Sequence, residues 1–164
     1  MNKIKFTFEY YWQNYKGEIA MENRDSIHLL KECDAGTKMA IISIDDVIDD
    51  VENAKLRQLL IESKDHHKKL LKEIHSMLDQ LDIKEKDPST MATLMSWVKT
   101  NSKLIMNDDD TVIADLMTEG CDMGVKSLHK YLNQYPNASH KVKEICNRLI
   151  SLEETLCEKL RAYL

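Results

Sequence analysis

Apolar and small residues recur along the chain at alternating steps of three and four. Between Ser26 and Val51 they fall at Leu30, Cys33, Thr37, Ala40, Ile44, Val47 and Val51, the seam of a helix that buries one face. Asp25 or Ser26 is placed to cap its start. Asp49-Asp50 then offers a break and a new cap. A second seam follows through Leu56, Leu60, Ser63, His67, Leu70, Ile74, Met77 and Leu81. So short a connection makes the two helices antiparallel neighbours. The polar stretch 82–89, with Pro88, ends the second helix, and Ser89 caps a shorter crossover helix through Met91, Leu94, Met95, Val98 and Ile105. Asp109 or Asp110 caps the next helix, expected from about Thr111 to Tyr135. Pro136-Asn137 is the turn, and Ser139 caps a last helix that reaches Tyr163 and Leu164.

Only four Gly and two Pro occur in 164 residues. So few turn formers exclude a sandwich, a barrel or a disordered chain. The expected fold is therefore all-α: an antiparallel four-helix bundle made of two αα-hairpins, 24–81 and 111–164, joined by a helical crossover, 82–110. Together they form one domain, 23–164. No uncharged apolar run approaches the roughly 18 residues of a membrane span, and a net charge of −5 argues against a general nucleic-acid binder. The four cysteines include no Cys-x-x-Cys pair, which reads as reduced thiols in a cytoplasmic protein.

The first 15 positions hold six of the ten aromatic residues, unlike anything that follows. Lys16-Gly17-Glu18 back-translates to a purine-rich stretch that can contain a bacterial ribosome-binding sequence ahead of Met21. Residues 1–22 are thus expected to be a non-native or flexible leader. The other reading is a strand or arm that docks its aromatic rings on the bundle.

A six-residue signature occurs twice. Cys33-Asp34-Ala35-Gly36-Thr37-Lys38 returns 88 positions later as Cys121-Asp122-Met123-Gly124-Val125-Lys126, and the second and fourth helices align at a shift of 86. This is the pattern of a duplicated hairpin. Asp34–Lys38 and Asp122–Lys126 are expected as i,i+4 ion pairs on exposed faces. Gly36 and Gly124 cost about 1 kcal/mol each against Ala in mid-helix. Either close approach of helices near a pseudo-twofold axis or a gap for a ligand would offset that cost.

Polar residues also sit where apolar ones belong. His67 lies on the core phase of its helix, and its repeat-mate Glu153 does so on the last helix. Counting back from each turn puts Cys33–Thr37 level with His67 and Cys121–Val125 level with Glu153, so that one layer is expected to hold His67, Glu153, Cys33 and Cys121, with Glu32, Glu119 and Asp122 beside it. One reading is a His67–Glu153 hydrogen bond or ion pair with two cysteines acting as small apolar groups. The other is a metal layer of His67, Glu153, Cys33 and Cys121, since imidazole, carboxylate and thiolate suit iron or zinc.

A duplicated helix hairpin with a long crossover and a polar central layer resembles the ferritin-like superfamily over residues 24–164. Met95-Ser96-Trp97-Val98-Lys99-Thr100-Asn101 and Glu119-Gly120-Cys121-Asp122-Met123-Gly124 are similar to stretches of small ferritin-like proteins of Gram-positive bacteria. The resemblance implies a bundle whose functional members carry Glu on helices one and three and Glu-x-x-His on helices two and four. This chain has no Glu-x-x-His. With His67 on the family's His, Lys64 stands at its Glu, and Ile150 and Glu153 form the matching pair.

His66-His67 beside Glu62 or Asp65 points mainly to a solvated face, and Asp25-x-x-His28 to capping. Cys146 and Cys157 share a face, and Met91, Met95, Met106, Met117 and Met123 cluster about the crossover as soft filling or a partner groove. No phosphate loop or catalytic triad is present. The expected function is a non-enzymatic bundle that binds a protein partner, a second copy or a small ligand, with a degenerate di-metal layer and no cofactor. The alternative is a metal or redox protein holding iron or zinc.

Overall fold

The computed structural model describes the backbone of residues 3–81, 83 and 109–164, and the side chains of these from Asn23 onward. It contains α1 (Lys3–Val47), α2 (Ala54–Gln80), α3 (Asp110–Gln134), α4 (His140–Leu160) and a closing 3-10 turn, Arg161–Tyr163. No strand occurs among the described residues. The chain is an all-α four-helix bundle.

The helix boundaries follow from capping chemistry. Asn53 accepts from the N–H groups of Lys55 and Leu56 at the start of α2, so the Asp49-Asp50 pair is turn rather than cap. Asp109 caps α3 through the N–H of Thr111, and Ser139 caps α4 through that of Val142. Each such cap contributes about 1 kcal/mol. The first expectation fails: α1 runs unbroken through Asp25 and Ser26 back to Lys3, so neither residue caps a helix start. The expected crossover helix, with Ser89, Met91, Met95 and Met106, lies outside the described residues.

Both would-be caps instead fasten the far end of the molecule. Asp25 Oδ2 accepts from the Asn137 N–H at 3.0 Å, and Ser26 Oγ from the Ser139 N–H at 2.8 Å. At the other end, the Asp110 carboxylate accepts from the N–H groups of Glu52 and Asn53 at 3.0 and 2.8 Å. The start of α3 therefore sits beside the α1–α2 turn, and the α3–α4 turn sits beside Asp25. It follows that α1 and α4 run one way and α2 and α3 the other. The end of α2 and the start of α3 therefore lie at opposite ends of the bundle, the arrangement of bundles with one long crossover connection.

The core divides into two apolar clusters. Leu29, Leu30, Leu70, Ile74, Leu128 and Leu149 anchor one, towards the α3–α4 turn. Ile44, Leu56, Leu60, Ile113, Leu156 and Leu160 anchor the other, towards the α1–α2 turn. The seam of α2 is as spaced in the sequence except at its end, where Leu78 is buried and Leu81, past the helix, is exposed. Val51 stays buried in the turn, where the Arg57 guanidinium donates to its carbonyl. Between the clusters along each helix lie buried polar residues: Thr37 on α1, Ser63 and His67 on α2, and Glu153 on α4.

The glycines do not bring backbones into contact. A Cβ on Gly36 would lie 3.6 Å from Leu149 Cδ2, and one on Gly124 3.6 Å from Glu153 Cδ. Both are ordinary van der Waals separations, so a methyl group fits at either position. A larger side chain would meet Leu149 or Glu153.

Candidate functional site

The polar waist is built around His67, which is fully buried. Its Nδ1 lies 2.8 Å from the carbonyl oxygen of Ser63, one turn earlier on α2. A carbonyl only accepts, so the hydrogen-bond network assigns a proton to Nδ1. Nε2 then faces Glu153 Oε1 at 3.2 Å. A proton on Nε2 would be donated to this carboxylate, so the contact favours the imidazolium form of the ring. Burial alone disfavours the charged ring. The hydrogen bond and negative charge of Glu153 and the Ser63 carbonyl outweigh it, and the pKa of His67 is raised from the ordinary 6.5. A buried ion broken from its partner costs several kcal/mol, which is why the two positions are polar together.

Glu153, 7% exposed, also receives α3. The Cys121 thiol is pushed far upward by burial, and then by the charge and hydrogen bond of Glu153. It is therefore a neutral S–H beside the carboxylate. Gly124 leaves room for the same carboxylate one turn on. His67 and Glu153 are 86 positions apart, the shift that relates α2 to α4 in the sequence repeat. Two positions related by that shift thus touch each other directly.

Three of the four residues expected in the layer, His67, Glu153 and Cys121, come together. Cys33 does not. It is fully buried in the cluster towards the α3–α4 turn with Cys146 of α4, whose hydrogen bond, with burial, raises the Cys33 thiol well above its ordinary range. Thr37 occupies the waist on α1 instead, its hydroxyl satisfied by donation to the Cys33 carbonyl at 2.7 Å. Thiols pack as small apolar groups, so Cys33 belongs to the dry cluster and the self-satisfied threonine to the polar boundary. The flanking carboxylates also stay out. Glu32 lies beside Tyr131 and Tyr135, whose hydroxyls are raised by burial and then by its charge. Glu119 is exposed, and Asp122 is exposed and accepts from Cys157 Sγ at 3.5 Å. Among the described residues, no group of three or more His, Cys, Asp or Glu side chains is disposed to hold a metal ion.

Two features escaped the sequence reading. Asp34, expected on an exposed face, is fully buried. It accepts from Lys38 at 3.0 Å and from His75 Nε2 at 2.9 Å, joining α1 to α2. Histidine 41 positions away carries no periodic signal that would have found it. The second is a cleft of about 700 Å³ between α2 and α4, lined by His66, Lys69, Leu70, His140 and Leu152 among others. His66 is thus exposed on the cleft while its neighbour His67 is internal. His28, read as part of a cap, stacks on Tyr135 with ring centroids 5.5 Å apart. All four cysteines are free and buried. No helix among the described residues is long and apolar enough to cross a membrane.

These observations define a helical-bundle protein with a closed, hydrogen-bonded polar waist. A family model described as domain of unknown function (DUF2383) matches residues 25–134, and the chain belongs to that family. The match takes in α2, α3 and α1 from Asp25, and stops before α4, which supplies Glu153. No curated protein and no solved structure is significantly similar to the chain.

Proposed function

We propose that this chain is a non-enzymatic, ferritin-like binding module of the cytoplasm, derived from a duplicated hairpin, whose central layer is a degenerate di-metal site. The observation that carries the reading is that the donors of the waist are spent on one another. His67 uses one nitrogen on Ser63 and the other on Glu153, and Cys121 stands beside the same carboxylate as a neutral thiol. The run of helices, with antiparallel hairpins and one long connection, supports the ferritin-like likeness, as does the meeting of positions 86 apart. Four free thiols fit a reducing compartment. One carboxylate and one imidazole do not fit a di-iron pair, which draws on a Glu from each of two helices and a Glu-x-x-His from each of the others.

A second reading is favoured by the contact of His67 with Glu153 in the central layer: a metal or redox protein that holds iron or zinc at a modified site there. It requires loss of the proton on Nε2 and movement of further ligands into the layer, since no three such side chains are disposed around an ion among the described residues. Elemental analysis of reduced, untagged protein separates the two. Folded protein without stoichiometric metal is expected. Iron or zinc at one equivalent, lost in a His67→Ala/Glu153→Ala double variant, would favour the metal protein instead.

A further inference from the structure

We infer that the cleft between α2 and α4 docks an acidic, amphipathic helix of a partner protein. The inference deepens the binding-module reading and rests on it. The cleft continues past the 700 Å³ portion into a second hollow of about 480 Å³ bounded by Lys72, Met77, Gln80, Lys141 and Ile145. From His66 to Gln80 it follows α2 for about 21 Å, the length of about 14 helical residues. Apolar side chains form its floor at both ends, Leu70 with Leu152 and Met77 with Ile145. A forked pair crosses it midway, Arg148 to Glu73 at 2.7 and 2.8 Å.

Charge decides the occupant. Lys69, Lys72, Lys141, Lys143 and Arg148 face the cleft against only Glu73 and Glu144. Five cations against two carboxylates give the cleft +3, so the rest of a chain of net charge −5 carries −8. Arg148 is paired with Glu73, and Lys143 donates to the Pro136 carbonyl at 2.6 Å. Lys69, Lys72 and Lys141 have no carboxylate partner among the described residues. Cations spread along both rims of an elongated, apolar-floored cleft match a helix with acidic flanks and an apolar stripe. A compact anion would meet only one or two of them. An extended nucleic acid would run on over acidic surface, which repels it.

Selection from a displayed library of random peptides of about 14 residues, on the full folded chain, tests this. A Lys69→Glu/Lys72→Glu/Lys141→Glu variant, shown by circular dichroism to keep its helix content, serves as the comparison. The expected winners are rich in Asp and Glu with apolar residues at i, i+3 and i+4. Their binding should fall at least about tenfold in the variant and in about 0.5 M salt. Winners with no acidic bias, or that bind the variant equally well, would overturn the cleft while leaving a binding module in place. No enrichment at all would overturn both. A duplex oligonucleotide that binds as tightly as the winners and is lost in the same variant would make the cleft a polyanion site and remove the peptide assignment.

Discussion

The two copies of the Cys-Asp-x-Gly-x-Lys signature share a sequence and occupy different surroundings. In the α1 copy, Asp34 is fully buried, held by Lys38 and by His75 of α2, and Cys33 meets Cys146. In the α3 copy, Asp122 is exposed on Cys157, while Cys121 and Gly124 serve the Glu153 carboxylate. The buried charge of each hairpin pair is thus placed differently. One copy keeps it on the motif aspartate, and the other receives it from the facing helix. A repeated motif fixes helical phase and residue size. What each side chain meets is decided by the partner helix, and the partner positions His67 and Glu153 are not alike.

The largest effect should come from emptying the second copy's surroundings. Glu153→Ala leaves the Nε2 of buried His67 unpaired and is expected to cost about 3–5 kcal/mol in urea unfolding. A His67→Leu/Glu153→Leu double variant should recover most of that loss, because a packed apolar pair replaces a desolvated polar one. Equal instability of the double variant would show that the waist needs its polarity to fold. The pair also has a pH signature. The folded-state pKa of His67 is raised, so its contribution is full below the unfolded value near 6.5 and is lost as pH rises through the folded one. The stability of the wild type relative to the double variant should therefore decline as the solution is made more alkaline from about pH 6.

Next comes the contrast between the aspartates. Asp34→Ala removes two charge-assisted hydrogen bonds from a dry site and should cost about 3 kcal/mol. Asp122→Ala, at the surface, should stay within about 0.5 kcal/mol. Similar thermal shifts in the two variants would mean that the copies are equivalent after all. Smaller and opposite in sign, Gly36→Ala and Gly124→Ala are each expected to raise stability by up to about 1 kcal/mol, since a methyl fits at normal contact distance and helix propensity improves. Glu73→Gln should also lower stability little, by about 0.5 kcal/mol or less, because both partners of its Arg148 pair are half exposed.

The all-helical class was legible because turn formers are scarce and the seams of α1 and α2 keep their phase. The caps Ser139 and Asp109 were legible because short polar side chains before an apolar run satisfy free N–H groups. Asp25 and Ser26 look the same in sequence, yet α1 continues through them and they serve a different turn 112 and 113 positions away. Local capping signals cannot distinguish these cases. In the centre, the meeting of His67 and Glu153 followed from phase and repeat offset. Counting from the turn fixed the level only to the single helical turn Cys33–Thr37, and within it Thr37 lies at the waist while Cys33 belongs to the apolar cluster. The Asp34–His75 bond and the charged cleft depend on how helices rotate against each other, which periodicity does not encode.

The fastenings at the two ends have a mechanical consequence. Asp110 grips the α1–α2 turn at one end, and Asp25 with Ser26 grips the α3–α4 turn at the other. Sliding one hairpin along the other by a single 5.4 Å helical pitch would tear both sets of bonds at once, since neither end can follow the slip. The halves are keyed like a dovetail. The choice of which side chains confront each other halfway along is therefore made some distance away, by three small polar residues at the extremities.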